Sequence, residues 1–82
     1  MARRKLLRPK DRKTKLQIAF GSKVRELRQK KELSQEELAD KSDLHFTYVS
    51  SVERGERNIS IENTAKLAQA LDCQLKDLMP PI

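Results

Sequence analysis

Cysteine, aromatic residues and glycine are all scarce in this chain of 82 residues. One cysteine, Cys73, excludes an internal disulfide framework, and with a single histidine it does not support a zinc site. The aromatic residues are Phe20, Phe46 and Tyr48, and the hydrophobic share of 37% lies below the globular average. We therefore expect one domain with a thin core, which leaves little room for a catalytic cleft.

Long apolar runs are also absent. No stretch approaches the roughly 20 apolar residues that span a bilayer, and the charged start of the chain lacks the apolar core of a signal peptide. The sequence has no nucleophile–base pair, phosphate-binding loop or metal cluster. It therefore predicts a cytoplasmic protein that is not an enzyme, with no cofactor, no metal, no membrane contact and no small-molecule ligand.

Positive charge is concentrated at the amino terminus. Residues 16–82 are nearly neutral, with ten basic and eleven acidic residues. A basic tail on such a domain favours a polyanion as partner, most simply nucleic acid, although a solvated tail that aids solubility is an alternative. We expect a flexible arm at 1–13 and a folded domain at 14–82, because Pro9 and the charge run disfavour a helix. Residues 1–15 contain one acidic residue, Asp11, and eight basic residues: Arg3, Arg4, Lys5, Arg8, Lys10, Arg12, Lys13 and Lys15.

The stretch 34–57 predicts two short helices joined by a tight turn. Ser34 and Glu37 fit a capping box, in which each side chain accepts a hydrogen bond from the other residue's backbone amide. Ser42-Asp43 is a turn signal, and Gly55 suits a left-handed cap at the end of the second helix. This arrangement is typical of a helix-turn-helix. The outer face of the second helix is predicted to carry Thr47, Ser50, Ser51 and Arg54, with Phe46 and Tyr48 at its leading end.

Three further helices complete the prediction of an all-α fold. The first runs from about Thr14 to Lys31, and Ser60 is the expected cap of the fourth. A short fifth helix, from about Leu75 to Met79, is stopped by Pro80-Pro81. Helical spacing assigns inner faces to the first and fourth helices. The predicted inner residues are Leu16, Phe20, Val24 and Leu27, then Ile61, Thr64, Leu67, Ala68 and Leu71.

Three segments carry a family resemblance: Val24–Arg28, Leu33–Ala39 and Tyr48–Arg57. Over roughly 18–79 the chain resembles the Cro/C1-type helix-turn-helix domain, the XRE family. The resemblance implies a compact five-helix, lambda-repressor-like domain in which helices 2 and 3 form the helix-turn-helix. Within this family, the wording of 47–50 and 53–58 looks most like controller proteins of restriction–modification systems. These often carry arginine at the position of Phe46, so their base preference does not transfer.

The resemblance implies a sequence-specific transcriptional regulator of bacterial, nucleoid-associated type. It would bind double-stranded DNA at a palindromic operator, as a homodimer, through a recognition helix near 45–54. An alternative is a protein-interaction module, such as an antitoxin or adaptor, with little or no DNA affinity. A recognition helix fits the major groove with its first residues nearest the base edges. The residues expected at the DNA are Gln35, Phe46, Thr47, Tyr48, Ser50, Ser51, Arg54, Arg57 and Asn58.

Some of these residues have a structural interpretation as well. Phe46 could instead be a core residue at the turn, and Tyr48 could pack against helix 1 instead of contacting a phosphate. Gln35 could be no more than a favourable first-turn residue, and Arg54 and Arg57 could be solvated charges. His45 is interpreted as a helix cap and Cys73 as a small packed hydrophobe.

Two structural assignments complete the expectations. Arg28 lies beside the apolar face of helix 1, where an unpaired charge would be costly, and the resemblance pairs it with Glu53 in a structural salt bridge. The family's usual glycines are replaced by Glu32 and Asp43 at two helix exits. Apolar residues at the carboxyl end either close a small core or form the dimer contact that the family commonly carries there. These residues are Leu75, Leu78, Met79 and Ile82.

Overall fold

A computed structural model describes residues 13–80, and every regular element within this range is a helix. The helices, in chain order, are α1 (Lys15–Lys30), α2 (Gln35–Ser42), α3 (Phe46–Glu53), α4 (Ile61–Ala70) and α5 (Leu75–Leu78). The predicted five-helix, all-α fold is confirmed, and α2 and α3 form the helix-turn-helix. The predicted arm lies outside the described residues except for Lys13, and so does Ile82. None of the helices in the described range is long and apolar enough to cross a bilayer.

The first four helices each begin at a residue whose side chain accepts a hydrogen bond from a backbone amide in the first turn. Ser34 Oγ lies 3.0 Å from the Glu37 amide, and the Glu37 carboxylate accepts from the Ser34 amide at 2.8 Å, which completes the predicted capping box. Such caps satisfy amides that the helix itself leaves unpaired, and they fix where each helix starts. The capping residues are Thr14, Ser34, His45 and Ser60.

The exits of α1, α2 and α4 pass through left-handed backbone at residues other than glycine. Glu32 and Asp43 have φ of 58°, and Asp72 has φ of 57°. Each such conformation costs on the order of 1 kcal/mol relative to glycine. After α3 the corresponding position is the predicted Gly55, at φ 78°. The chain therefore makes sharp turns between short helices at some cost in stability.

The core takes side chains from all five helices. Its fully buried large residues are Val24, Leu38, Val49, Leu67, Leu71 and Leu78, and Phe20 and Val52 are nearly so. The predicted inner position is wrong for two residues, because Ile61 is 79% exposed and Leu16 is also exposed. Both lie in the first turn of their helices, beyond the end of the core, where helical spacing alone does not ensure a partner.

Gly21 lies where α1 crosses α3. A Cβ at this position would overlap the carbonyl oxygen of Val52 and lie 2.9 Å from that of Glu53. The two helices therefore meet backbone to backbone at this point, with no side chain between them. Only a residue without a Cβ fits at this crossing.

Candidate nucleic-acid interface

The amino-terminal end of α3 is exposed and carries Phe46 and Thr47. His45 caps it, as predicted, because its Nδ1 accepts from the Thr47 amide at 3.1 Å. The cap holds the first turn of α3 in place and leaves both side chains facing away from the core.

The predicted placement of Ser51 on the outer face of α3 is wrong. Ser51 is only 4% exposed, so its side chain is buried and does not lie on the outer face. Its hydroxyl donates to the carbonyl of Tyr48 at 2.8 Å and accepts from Nε of Arg57 at 2.8 Å. Ser51 therefore supports its neighbours, and its predicted contact with DNA stays a prediction.

Tyr48 is half-buried and packs against the core. Its hydroxyl accepts from Nδ2 of Asn63 on α4 at 3.1 Å. The sequence offered a phosphate or helix 1 as the partner of this side chain, and Asn63 was in neither interpretation. The hydrogen bond joins α4 to the recognition helix and fixes the direction of the phenol.

Arg57 lies in the connection after α3 and is held from two sides. Its guanidinium carbon lies 5.2 Å from the centroid of the Tyr48 ring, a cation–π contact, while Nε is bonded to Ser51. We call Ser51, Tyr48, Arg57 and Asn63 the Arg57 cluster. Within the described residues the two terminal nitrogens of Arg57 have no hydrogen bond to protein atoms, so an oriented fork of donors remains for an external acceptor.

Arg54 reaches back over α3. One terminal nitrogen donates to Ser50 Oγ at 2.6 Å, and the other lies 3.0 Å from the Glu56 carboxylate. The hydrogen bond between Arg54 and Glu56 raises the pKa of Arg54 and lowers the pKa of Glu56. Lys13 is a second, more distant partner of Glu56, at 3.9 Å. Glu56 therefore competes for a guanidinium that could otherwise contact a phosphate.

Behind the exposed surface, Arg28 and Glu53 form the expected ion pair. Arg28 Nε and Nη2 lie 2.6 and 3.0 Å from the two Glu53 carboxylate oxygens, and the Glu53 side chain is only 3% exposed. Arg28 Nη1 also donates to the carbonyl of Leu33 at 2.7 Å. Gln35 donates its amide to the same Glu53 at 3.0 Å. The side chain of Gln35 is thus oriented by the pair, a contact that its first-turn position did not predict.

A second surface, the apolar groove, lies between α1, α4 and α5 and has a volume of about 550 Å³. Leu75 and Met79 line it and are exposed, as the predicted dimer contact requires. Leu78 does not fit that prediction, because it is 0% exposed and belongs to the core. Arg57 and Asn58, in the connection after α3, also line the groove. The apolar groove is defined by Leu16, Phe20, Ile61, Leu75 and Met79.

Two further residue groups are the possible metal ligands and the single cysteine. No group of three or more His, Cys, Asp or Glu side chains within 13–80 is arranged to hold a metal ion. Cys73 packs against the core, and burial raises the pKa of its thiol. A thiol of raised pKa remains protonated, which suits a packing role.

Known proteins match both the sequence and the fold. The helix-turn-helix family model (HTH_3) matches residues 24–78. Control protein C.BamHI of Bacillus amyloliquefaciens is 49% identical over 65 residues, which cover 78% of this chain and 80% of that protein. The restriction-modification controller protein C.AhdI of Aeromonas hydrophila superposes with a TM-score of 0.74 at 52% identity, over 76% of this chain and 94% of that one. SinR, a master regulator for biofilm formation solved in complex with DNA, superposes with a TM-score of 0.70 at 33% identity. The match covers 72% of this chain and 95% of SinR.

Proposed function

This chain belongs to the helix-turn-helix (HTH_3) family, whose members regulate transcription by binding DNA, and from that premise we propose that it binds a palindromic operator as a homodimer. It is a sequence-specific DNA-binding regulator and not an enzyme. The names of its relatives C.BamHI and C.AhdI support a narrower role as a restriction–modification controller. The expected cytoplasmic, nucleoid-associated location would follow from a DNA partner and remains a prediction.

The Arg57 cluster is the observation that carries the proposal. An arginine fork that is fixed in direction can donate two hydrogen bonds to a guanine edge or to a phosphate, with little side-chain entropy lost on binding. The fork of Arg57 is held by Tyr48 and Ser51, next to the exposed end of α3. We place Phe46 and Thr47 in the major groove, with Gln35, Ser50, Arg54 and Asn58 on the flanking backbone.

The apolar groove supports the dimer. Exposed Leu16, Ile61, Leu75 and Met79 lie at one site, and exposed apolar patches of this kind mark association surfaces. A second copy offers the same surface, as a two-fold interface requires. Two recognition helices would then lie about 34 Å apart, one turn of DNA, and would read a palindrome.

In vitro selection from random duplex DNA, with the full chain, tests this function. We expect a palindromic consensus, and binding to it that weakens steeply with salt as phosphate-bound counterions are released. The Arg57→Ala variant is the matched control, because it keeps the fold and removes the oriented fork. A consensus of one half-site would overturn the dimer, and no enrichment at low salt would favour the protein-interaction alternative.

The basic arm has a separate test. We propose that 1–13 adds phosphate contacts, so a variant that lacks these residues should bind the selected operator with a smaller salt slope. The slope should fall by about 0.9 for each phosphate that the arm neutralises. An unchanged slope would assign the arm no role at the DNA.

A further inference from the structure

Phe46 is the large hydrophobic side chain at the leading end of the recognition helix. It is the first residue of α3 and is 44% exposed. Leu44 and Tyr48, on either side, pack against the core, and Phe46 is not among the residues that do so. Its interpretation as a core residue at the turn is therefore wrong. The exposed part of the phenyl group can contact a molecule that binds at this end of α3.

Most neighbouring side chains at this end of α3 are already engaged within the protein. Ser50 accepts from Arg54, and the Tyr48 hydroxyl accepts from Asn63. Thr47 uses its amide for the His45 cap, and its hydroxyl has no partner among the described residues. Two side chains, Phe46 and Thr47, are thus available at the position nearest to the base edges, and the phenyl group has no hydrogen-bonding atom.

The chemistry of the major groove restricts what such a group can recognise. Base edges there offer hydrogen-bond donors and acceptors, and the apolar group that they add is the methyl at C5 of a pyrimidine. Thymine carries this methyl, and 5-methylcytosine presents the same group at the same position. Unmodified cytosine does not. Building on the proposed function, we propose that Phe46 reads a pyrimidine 5-methyl group in each operator half-site.

The effect of one methyl group has a predictable size. Removing a methyl from an apolar contact lowers affinity about fourfold, the factor that corresponds to the burial of one such group. A symmetric dimer has two separated contacts whose effects multiply, so removal of both methyls should lower affinity about 15-fold. Replacement of thymine by deoxyuridine is suited to this test because it removes the methyl and keeps every hydrogen-bonding group.

The experiment scans each thymine of the selected operator with deoxyuridine, symmetrically in both half-sites, and measures affinity with the full chain. We expect one thymine at which the substitution lowers affinity about 15-fold, and the loss should vanish in Phe46→Ala. Thr47→Ala is the matched control: it removes a neighbouring hydroxyl, so it lowers affinity but retains the sensitivity to deoxyuridine. Thermal unfolding checks each variant, and the exposure of Phe46 predicts an unchanged melting temperature for Phe46→Ala.

A second experiment distinguishes the two sources of the methyl group. Each cytosine of the half-site is replaced by 5-methylcytosine, and a gain of about 15-fold that depends on Phe46 would identify methylated cytosine as the partner. A loss on deoxyuridine that depends on Phe46 would identify thymine. The assignment would be overturned if neither the deoxyuridine nor the 5-methylcytosine substitution changed the affinity. It would also be overturned if the losses persisted in Phe46→Ala. Failure to select any operator would instead remove the proposed function, and this inference with it.

Discussion

The recognition surface and the apolar groove are built on opposite principles, although Arg57 and Asn58 border both. The recognition surface comprises the outer end of α3 and residues 54–58, and its polar groups bind one another before any partner arrives. The groove is lined by exposed aliphatic side chains that nothing within the described residues covers. One surface is arranged in advance by hydrogen bonds within the chain, and the other is the surface that we propose a second copy covers.

This difference teaches how the two surfaces should respond to conditions. Contacts between fixed charges and phosphates weaken with salt, so a variant that loses such a contact should change how steeply operator affinity falls with salt. Burial of apolar surface between two copies is little affected by moderate salt, but it depends on protein concentration by mass action. Variants of the two surfaces can therefore be told apart by the condition that changes their effect.

Loss of the ion pair behind the recognition surface should have the largest effect. In Arg28→Ala the Glu53 carboxylate, 3% exposed, has no guanidinium partner, and breaking such a pair costs about 3–5 kcal/mol. Thermal unfolding should show this loss at every protein concentration. Arg25→Ala, at an exposed arginine of the same helix, should change stability by less than about 0.5 kcal/mol. An unaltered melting temperature in Arg28→Ala would contradict the buried pair.

A charge placed in the apolar groove should have the next largest effect. Met79→Glu would put a carboxylate against the second copy, so the chain should become monomeric and lose on the order of 100-fold in operator affinity. Sedimentation and mobility shifts measure the two effects, and both should diminish at high protein concentration. Gln69→Glu adds the same charge on the exposed side of α4 and outside the groove. If Met79→Glu stays dimeric, the groove is not the interface.

Removal of the Arg57 fork should weaken binding without unfolding the domain. An arginine that contacts a base edge or phosphate is worth about 1–3 kcal/mol. The proposed dimer loses two such contacts, so Arg57→Ala should bind the operator about 30-fold more weakly at the lower end of that range. Arg57→Lys keeps the charge but loses the planar fork, so its operator affinity should lie between those of the parent and of Arg57→Ala. Fluorescence anisotropy at several salt concentrations measures this. Unchanged affinity in Arg57→Ala would remove the Arg57 cluster from the site.

The smallest effect concerns Glu56. Glu56→Gln releases Arg54 and removes a negative charge near the DNA, so affinity at low salt should rise about twofold to threefold, an exposed-pair effect. Because Arg54 lowers the pKa of Glu56 below its ordinary value of 4.5, the pair stabilises the fold above that pH. The difference in melting temperature between parent and variant should vanish as pH falls through the lowered pKa. A difference that persists in acid would contradict this assignment.

The sequence predicted the parts of the fold that depend on local chemistry. Helix starts could be predicted from capping residues, because a cap needs only a side chain and an amide two or three residues away. The capping residues predicted in this way are Ser34, His45 and Ser60. Gly55 marks an exit for a similar reason. The pair of Arg28 with Glu53 is long-range, and it was anticipated through the family resemblance and not through spacing.

The sequence was less informative where an outcome depends on what lies across from a residue. Leu16 and Ile61 have core-like spacing but project past the core. Leu78, which we expected at the dimer interface, is instead buried in the core. Ser51 differs from Ser50 by one step around the helix, which periodicity does not resolve in eight residues. The contact of Tyr48 with Asn63 spans 15 positions, and neither residue type signals the other.

The backbone contact at Gly21 has a mechanical consequence. A side chain can change rotamer to absorb a displacement, but two backbones in contact have no such freedom, so this contact restricts movement of α3 relative to α1. The groove residues Leu16 and Phe20 belong to the same α1. If two copies join through that groove, the separation and rotation of their recognition helices are fixed together. Insertion of one base pair between half-sites rotates them by about 34°, and a dimer this stiff would bind such an operator through one half at a time.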